Sequence, residues 1–325
     1  MTNPDLPTVS RLVTRILDQV ERAVVGKHDP LALVLSGILA GGHVLLEDFP
    51  GLGKTLAARS FAQTLGLSFA RAQFTPDLLP ADLTGSFIYD QRSSEFAFRH
   101  GPLFTGVLLA DEINRTPPKT QAALLEAMQE RQVTVEGETF ALAAPFHVLA
   151  TANPVEYEGT YPLPEAQLDR FLLRIAFGYP SADDEWEVLQ RRMQRQQEAQ
   201  TLDPVTDPET LLGMQAAVET VTVDPTISQY CVALAAATRS HRHVLVGASP
   251  RGSLALMLTA RAYAVVSGRD YVTPEDVKVV AAPALAHRIT VKPELWMSNA
   301  SGHSVVESVL ATVPAPGAKE LANAR

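Results

Sequence analysis

The chain has 325 residues and a formal net charge of −9, and 46% of its residues are hydrophobic. A chain of this length can bury a real core and exceeds most single compact domains, which predicts one large and one smaller domain. The acidic balance disfavours a protein that grips nucleic acid non-specifically, because such binding requires a positive surface. The single cysteine, Cys231, excludes an intramolecular disulfide and a cysteine-rich metal site, and its apolar neighbours predict a small buried side chain.

Two further features bear on the compartment. The N-terminus carries neither the basic nor the apolar region of a secretory signal. The most apolar stretch, residues 31–46, is interrupted by Gly41 and Gly42 and is too short to cross a bilayer. We therefore expect a cytoplasmic protein without a membrane span.

The first 42 residues predict two helices. Ser10 is the expected N-cap of the first, whose apolar residues recur every four positions up to Gly26. Asp29 is the expected N-cap of the second, with Pro30 at its first position and Gly41 at its end.

From residue 43 onward, short apolar runs alternate with helical patterns. This alternation predicts a parallel sheet with crossover helices, its strands at residues 43–46, 106–110, 146–150 and 174–177. Two stretches that break the pattern, 87–98 and 133–142, predict β-hairpins. The first hairpin places aromatic residues at alternate positions, either to pack on the core or, near the turn at 90–94, to face a partner.

The strand signals stop after Pro180. Ser181 is expected to cap a charged helix that runs to about Gln200, followed by a polar linker. Helices are predicted from there on, one opened by Ser249 and closed by Gly268 and another opened by Thr273. The predicted organisation is an α/β core with N-terminal helices over 1–180, a helix and linker over 181–208, an all-α domain over 209–313, and a flexible tail over 314–325.

A glycine-rich loop, residues 48–55, follows the first predicted strand of the sheet. It precedes a helical pattern, which is the setting of a P-loop, where backbone N–H groups and the helix dipole bind phosphates. Lys54 would reach the β- and γ-phosphates, and the Thr55 hydroxyl would bind Mg²⁺. Asp48 replaces the first glycine of the usual pattern, and aspartate tolerates the geometry of a turn better than most residues. The alternative to a P-loop is an ordinary glycine-rich turn. The residues predicted to contact the nucleotide are Pro50, Gly51, Leu52, Gly53, Lys54, Thr55 and Leu56.

A second motif is the apolar run 107–110, which ends in Asp111 and Glu112. Asp111 would hold Mg²⁺ through water, and Glu112 would polarise the attacking water. Such acids alone can be merely solvated, but together with the loop they predict nucleotide hydrolysis. Asn153, at the end of the next strand, supplies a neutral amide that can orient the water, although Asn-Pro alone is more often a turn.

Two arginines are candidates for stabilising the charge of a phosphoryl transition state. Arg170 stands at the end of a short predicted helix, and Arg251 lies in the first turn of the helix opened by Ser249. A surface salt bridge is the alternative for each.

The chain resembles the MoxR family of AAA+ ATPases, in the clade with an insertion in the second core helix. The resemblance runs from about residue 10 to about residue 300 and is carried by residues 74–85, 109–115, 117–128, 151–154 and 248–251. It implies an AAA+ P-loop core with a mainly parallel sheet flanked by helices, and a small all-α lid. The two hairpins match the helix-2 and pre-sensor-1 insertions. Asp48, and Ala152 where the family often has glutamine, depart from its pattern.

The resemblance also implies roles, cofactors and partners. It implies ATP and Mg²⁺ as cofactors, a hexameric ring, and a partner protein with a von Willebrand factor A domain that helps to engage a client. The implied roles are Walker A for Lys54 and Thr55, Walker B for Asp111 and Glu112, sensor 1 for Asn153, an arginine finger acting in trans for Arg170, and sensor 2 for Arg251. Arg115 and Arg174 are rivals for the finger.

Four functions remain to be compared. A remodelling ATPase is favoured, and a chelatase-like motor for metal insertion into a tetrapyrrole shares the hairpin insertions. A nucleic-acid motor is disfavoured by the acidic balance and by hairpins that lack enrichment in lysine and arginine. A scaffold that binds nucleotide without hydrolysis is disfavoured by Glu112 and Asn153.

Overall fold

The computed structural model describes residues 4–92, 94–153, 161, 163–197, 200–295 and 300–317. Its strands, in chain order, are β1 Val44–Glu47, β2 Phe69–Gln73, β3 Gly85–Asp90, β4 Glu95–His100, β5 Val107–Asp111, β6 Gln132–Val135, β7 Glu138–Ala141, β8 His147–Ala152, β9 Leu173–Ile175, β10 Val244–Val246 and β11 Thr290–Val291.

The central sheet has five strands in the order β2-β5-β8-β1-β9, and every neighbouring pair is parallel. The predicted parallel sheet is therefore confirmed. The carboxyl ends of all five strands meet at one edge, where open parallel sheets bind ligands. The edge strand β2 was not among the predicted strands.

Both faces of the sheet are buried, in two separate clusters. Leu45, Leu108 and Val148 pack on one face, together with helix residues such as Leu124. Their chain neighbours, which include Leu46, Leu109 and Leu149, pack on the other face. This alternation follows from the two-residue period of a strand and explains why the runs contain almost no polar residue.

The helices surround this sheet and continue beyond it. In chain order they are α1 Leu6–Glu21, α2 His28–Leu39, α3 Lys54–Thr64, α4 Pro80–Thr84, α5 Pro118–Glu130, α6 Glu165–Leu168, α7 Ala182–Arg195, α8 Pro208–Val218, α9 Pro225–Ser240, α10 Pro250–Val266, α11 Pro274–Leu285 and α12 Gly302–Thr312, with short 3-10 turns at Ile113–Arg115, Ala286–Arg288 and Pro293–Leu295.

The starts of the first two helices differ from the prediction. The N-cap of α1 is Asp5, whose carboxylate accepts a hydrogen bond from the backbone N–H of Thr8 at 3.0 Å, so the expected cap at Ser10 is wrong. Asp29 is likewise not a cap, because it lies within the first turn of α2, which begins at His28.

The helices of the second half begin largely where the caps predict. Ser181 and Asp184 form a capping box at the start of α7, which ends at Arg195 rather than near Gln200. Ser249 caps α10, and Thr273 caps α11. The pairing of β10 with β11 was not predicted, because strands of three and two residues carry too little pattern to be detected.

Helices α8–α12 form a helical lid, and its core is continuous with that of the N-terminal helices. Helix α10 packs against α2, α9 and α11, and also contacts α1. Cys231 of α9 is 1% exposed in this core, which confirms the expected buried side chain. None of the helices within the described ranges combines the length and the apolar character that a membrane crossing needs.

The two predicted hairpins are confirmed as the antiparallel pairs β3–β4 and β6–β7. They touch through aromatic rings, since Phe98 of the first stacks on Phe140 of the second with ring centroids 4.1 Å apart. Phe87 packs against both rings. Nearer the turn, Tyr89 and Phe96 are 50% and 70% exposed, so the alternating aromatics divide between packing and exposure.

Candidate nucleotide-binding site

A cavity of about 350 Å³ lies at the carboxyl edge of the sheet, where β1 passes into α3 beside the ends of β5 and β8. The structure brings together here every residue predicted to contact the nucleotide, both acids and the candidate amide. The lining residues are Pro50, Gly51, Leu52, Gly53, Lys54, Thr55, Leu56, Asp111, Glu112, Thr151, Ala152 and Asn153.

The loop before α3 depends on two glycines. Gly51 and Gly53 have φ angles of +82° and +85°, in the left-handed region that favours glycine. A Cβ atom at either position would meet no atom within 4 Å, so the backbone conformation, not a lack of space, requires glycine. The first N–H groups of α3 have no partners within the helix, and they therefore offer a site for an anion.

The carboxylate of Asp48 forms hydrogen bonds within the protein. It is 7% exposed and accepts hydrogen bonds from the backbone N–H groups of Phe49, at 2.8 Å, and Gly178, at 2.5 Å. The buried Lys27 donates to the carbonyl oxygen of the same Gly178 at 2.8 Å. Asp48 thus fastens the start of the loop to the segment after β9, and it does not line the cavity.

The Lys54 ammonium is held over this loop. It donates to the carbonyl oxygens of Asp48 and Phe49, the latter at 3.1 Å. Burial lowers the pKa of Lys54, while nearby carboxylates, which include Asp111 and Glu112, act in the opposite sense. A lysine facing two acids across a cavity is an arrangement that can hold phosphates on one side and a cation on the other.

Thr151 links the two acids. Its hydroxyl donates to Oδ1 of Asp111 at 2.6 Å and accepts from the backbone N–H of Glu112 at 2.8 Å. Glu112 has a φ of +56°, and such a conformation in a non-glycine residue costs about 1–3 kcal/mol and is concentrated at functional sites. The hydroxyl therefore helps to hold a strained backbone at the end of β5. Thr151 was not among the predicted site residues, although its position at the end of a buried strand, two residues before Asn153, is a signal that the sequence carries.

Side chains of β2 also hold the acids. Arg71 donates to Oδ2 of Asp111 from Nε at 3.0 Å and from Nη2 at 2.6 Å. Gln73 donates to Glu112 at 2.9 Å, and Arg115 of the same chain donates to the same Glu112 oxygen at 3.0 Å. Because the Arg71 side chain is 51% exposed, its ion pair contributes little net stability and can be exchanged.

Asn153 is 7% exposed and lines the cavity, whereas the predicted arginines do not. Arg170 donates from Nε to Gln129 of α5 at 3.0 Å. Arg251 lies 3.8 Å from Asp169. The rival Arg174 forms an ion pair with Glu47, at the end of β1.

Replacing Thr151 by valine is expected to weaken the positioning of Asp111 and Glu112. Thr151→Val leaves a buried Asp111 oxygen and the Glu112 N–H without their partner, which costs about 1–3 kcal/mol of stability. Turnover of ATP should fall by about tenfold, the scale of roughly 1.4 kcal/mol in the barrier, with little change in ATP affinity. Urea unfolding and steady-state kinetics measure the two effects.

The matched control is Thr134→Val, which removes an exposed hydroxyl that bonds to Thr139 on the second hairpin. It should leave both quantities nearly unchanged. A Thr151→Val protein with the stability and turnover of the parent would contradict the linking role.

The donor set suits a nucleotide with Mg²⁺. Mg²⁺ prefers oxygen ligands and retains several waters, and the cavity offers the carboxylate of Asp111 and the hydroxyl of Thr55. The glycine loop and Lys54 offer donors to phosphate oxygens.

A parallel sheet with a glycine loop after β1, two acids at the end of β5 and a helical lid is the arrangement of an AAA+ P-loop ATPase. A family model described as "ATPase family associated with various cellular activities (AAA)" matches residues 43–173, and a model of the AAA lid domain matches residues 236–309.

Comparison with individual proteins identifies the family within this class. The chain is 48% identical to the uncharacterized protein YeaC of Bacillus subtilis, over 94% of this chain and 95% of that one. It is 43% identical to chaperone MoxR1 of Mycobacterium tuberculosis, over 93% of this chain and 82% of that one. A crystal structure of a candidate ATPase from Cytophaga hutchinsonii superposes with a TM-score of 0.89 at 41% identity, covering 95% of this chain and 96% of that one. The chain belongs to the MoxR family of AAA+ ATPases and is an ATPase with chaperone-like relatives.

Proposed function

We propose that this ATPase hydrolyses ATP with Mg²⁺ in a hexameric ring and uses the cycle to remodel, mature or activate partner proteins. The observation that carries the proposal is the single cavity in which the glycine loop, Asp111, Glu112 and Asn153 meet while Arg170 lies outside it. The expected partners are further copies of this chain, a protein with a von Willebrand factor A domain, and a protein client; a cytoplasmic location stays a prediction. The proposed domains are the α/β core with N-terminal helices over 1–180, the helix and linker over 181–208 and the all-α lid over 209–313. Residues 318–325 of the predicted tail lie outside the described residues.

Within the cavity, each residue has a distinct task. Lys54 and the N–H groups at the start of α3 bind the β- and γ-phosphates. Thr55 and Asp111 hold Mg²⁺, which when bound neutralises phosphate charge. Glu112 polarises the attacking water, and Asn153 orients it without adding charge.

The arginines complete the site from outside. Arg251 approaches the phosphates from the lid when the lid closes, and Arg170 serves the cavity of the neighbouring subunit. This division explains why neither residue lines the cavity of its own chain.

A chelatase-like motor is the alternative function, since that clade shares the two hairpins. The relative that is 43% identical is named a chaperone, which favours remodelling of proteins. The exposed aromatic pair on the first hairpin also suits an apolar protein surface, with the Tyr89 and Phe96 ring centroids 5.3 Å apart.

The tip of the first hairpin is expected to be needed for work on the client and not for hydrolysis. The tip comprises residues 90–94, of which Ser93 lies outside the described residues. Replacing residues 91–94 by Asn-Gly closes the hairpin after the Asp90–Glu95 pair with a two-residue turn, so the register is kept, and should leave ATP turnover and assembly largely intact. Complementation of cells that lack the gene should be abolished, because the surface that meets the client is gone.

Two control variants accompany this test. Tyr89→Ser with Phe96→Ser removes the exposed rings without shortening the hairpin and should also fail to complement. Tyr271→Ser, an exposed aromatic of the lid, should complement fully. Full complementation by the tip-replaced protein would rule out the assigned role of the hairpin.

A further inference from the structure

Two arginines of the lid meet one carboxylate of the core, that of Asp169. Nε of Arg288 donates to Oδ1 at 2.8 Å, and Nη1 of Arg251 lies 3.8 Å from Oδ2. Arg251 belongs to the first turn of α10, and Arg288 ends the 3-10 turn after α11. Asp169 itself lies between α6 and β9, directly before Arg170. Asp169 therefore links Arg251, the proposed sensor 2, to the chain segment that carries Arg170, the proposed arginine finger.

Arg288 also binds the main chain around Arg170. Its Nη2 donates to the carbonyl oxygens of Phe171, at 2.8 Å, and Asp169, at 3.3 Å. Its Nη1 donates to the carbonyl oxygen of Leu172 at 3.3 Å. These bonds lie on both sides of Arg170, so an arginine of the lid fixes the backbone from which Arg170 projects.

The two arginines differ in how firmly they are held. The Arg251 side chain is 61% exposed and lies beyond hydrogen-bond distance of Asp169, so this contact contributes little. The Arg288 side chain is 4% exposed, and although burial lowers its pKa, a guanidinium stays charged in proteins. Removing the partner of a buried charge is strongly destabilising. Arg251 can therefore leave Asp169 easily, whereas Arg288 cannot.

We propose that Asp169 and Arg288 are positioning residues that couple the nucleotide in a subunit's own cavity to the position of Arg170. When Arg251 turns from Asp169 toward bound ATP, the carboxylate loses one of its two cationic partners. The segment 169–172, which Arg288 holds, then changes its position. Arg170 moves with this segment toward or away from the neighbouring subunit. This coupling rests on the proposed function, because it requires the roles given there to Arg251 and Arg170.

The test is hydrogen–deuterium exchange in Glu112→Gln protein, which is expected to retain ATP, with and without ATP and Mg²⁺. Exchange should change at residues 48–56, the segment that contains the predicted nucleotide contacts, and also at residues 168–172. Adding Asp169→Asn should abolish the response at 168–172 and retain it at 48–56. Arg288→Lys should do the same, because lysine keeps the charge but lacks the planar fork that binds several oxygens at once.

Asp276→Asn is the matched control. It removes the carboxylate from another lid ion pair, in which Arg269 donates to Asp276 at 2.6 Å and the Asp276 side chain is 2% exposed. The resulting protein should be less stable and yet keep the response at 168–172, which separates coupling from general destabilisation.

The other possible outcomes distinguish a failure of the coupling from a failure of the proposed nucleotide site. If ATP changes exchange at 48–56 but not at 168–172, or if Asp169→Asn keeps the response at 168–172, the coupling is wrong and the nucleotide site stands. If residues 48–56 also fail to respond, the proposed site falls and the coupling with it.

Discussion

Arg170→Ala protein is expected to bind ATP nearly normally and to hydrolyse it about 10³ to 10⁵ times more slowly, the range measured when an arginine finger is supplied or withheld. The reason is geometric. Arg170 follows α6, does not line the cavity of its own chain, and bonds to Gln129 on α5. We propose that its guanidinium serves a site on another subunit, where it would stabilise the charge that develops on the γ-phosphate.

Mixing experiments test whether the arginine acts in trans. Arg170→Ala and Lys54→Ala proteins, each inactive alone, should regain some activity together, because an intact site forms wherever an intact Lys54 meets a neighbour's intact Arg170. Specific activity of the parent should also rise with protein concentration as rings assemble. If mixing restores nothing although mixed rings form, or if turnover per subunit is constant from dilute monomer upward, the assignment is wrong.

The rival arginines supply the controls for this experiment. Arg115 bonds to Glu112 of its own chain, and Arg174 pairs with Glu47 of its own chain. If Arg170 is the finger, Arg115→Ala and Arg174→Ala should not regain activity when mixed with Lys54→Ala by the same scheme, since each of these residues would then act within its own subunit.

Lys54→Ala and Glu112→Gln are expected to separate binding from hydrolysis. The Lys54 ammonium is the cation proposed to bind the phosphates, so after its loss calorimetry should detect no nucleotide binding. Glutamine at position 112 keeps the shape of the side chain but cannot accept a proton. Binding should therefore persist while turnover falls by about 100-fold or more, the scale of losing a positioned base.

Two variants of an exposed lid ion pair are the controls. Lys278→Ala and Glu275→Gln alter a pair 3.3 Å apart on α11, neither of which lines the cavity, and should preserve both binding and turnover. Normal hydrolysis by Glu112→Gln protein would remove Glu112 from its assigned role.

The sequence sufficed for features that depend on local pattern. The apolar run ending at Asp111 predicts a buried strand because burial on both faces excludes polar residues, and the glycines before Lys54 are required by the backbone conformation of the loop. Ser249 likewise marks the start of α10 through a cap that involves only neighbouring residues. The arrangement of the cavity then follows from parallel strands that end at one edge.

The remaining features depend on contacts between distant segments. Strand β2 is only partly buried, so it lacks the apolar run that marks the other strands, and Arg71 and Gln73 were not recognised as partners of the acids. The role of Asp48 required knowledge that Gly178 lies beside it, 130 positions later in the chain. The bonds from Arg288 to the segment around Arg170 join residues more than 100 positions apart and leave no periodic signal.

The environment of Cys231 has a practical consequence for studying motion in this molecule. Burial raises the pKa of its thiol to about 12, so at neutral pH almost none of it is thiolate, the form that reacts with alkylating labels. The chain has no other cysteine. A single cysteine introduced at an exposed position, such as Phe96 on the hairpin or Leu254 on the lid, would thus be the only readily labelled thiol. Fluorescent reporters can then follow the hairpin and the lid through the ATP cycle without disturbing the packing around α9.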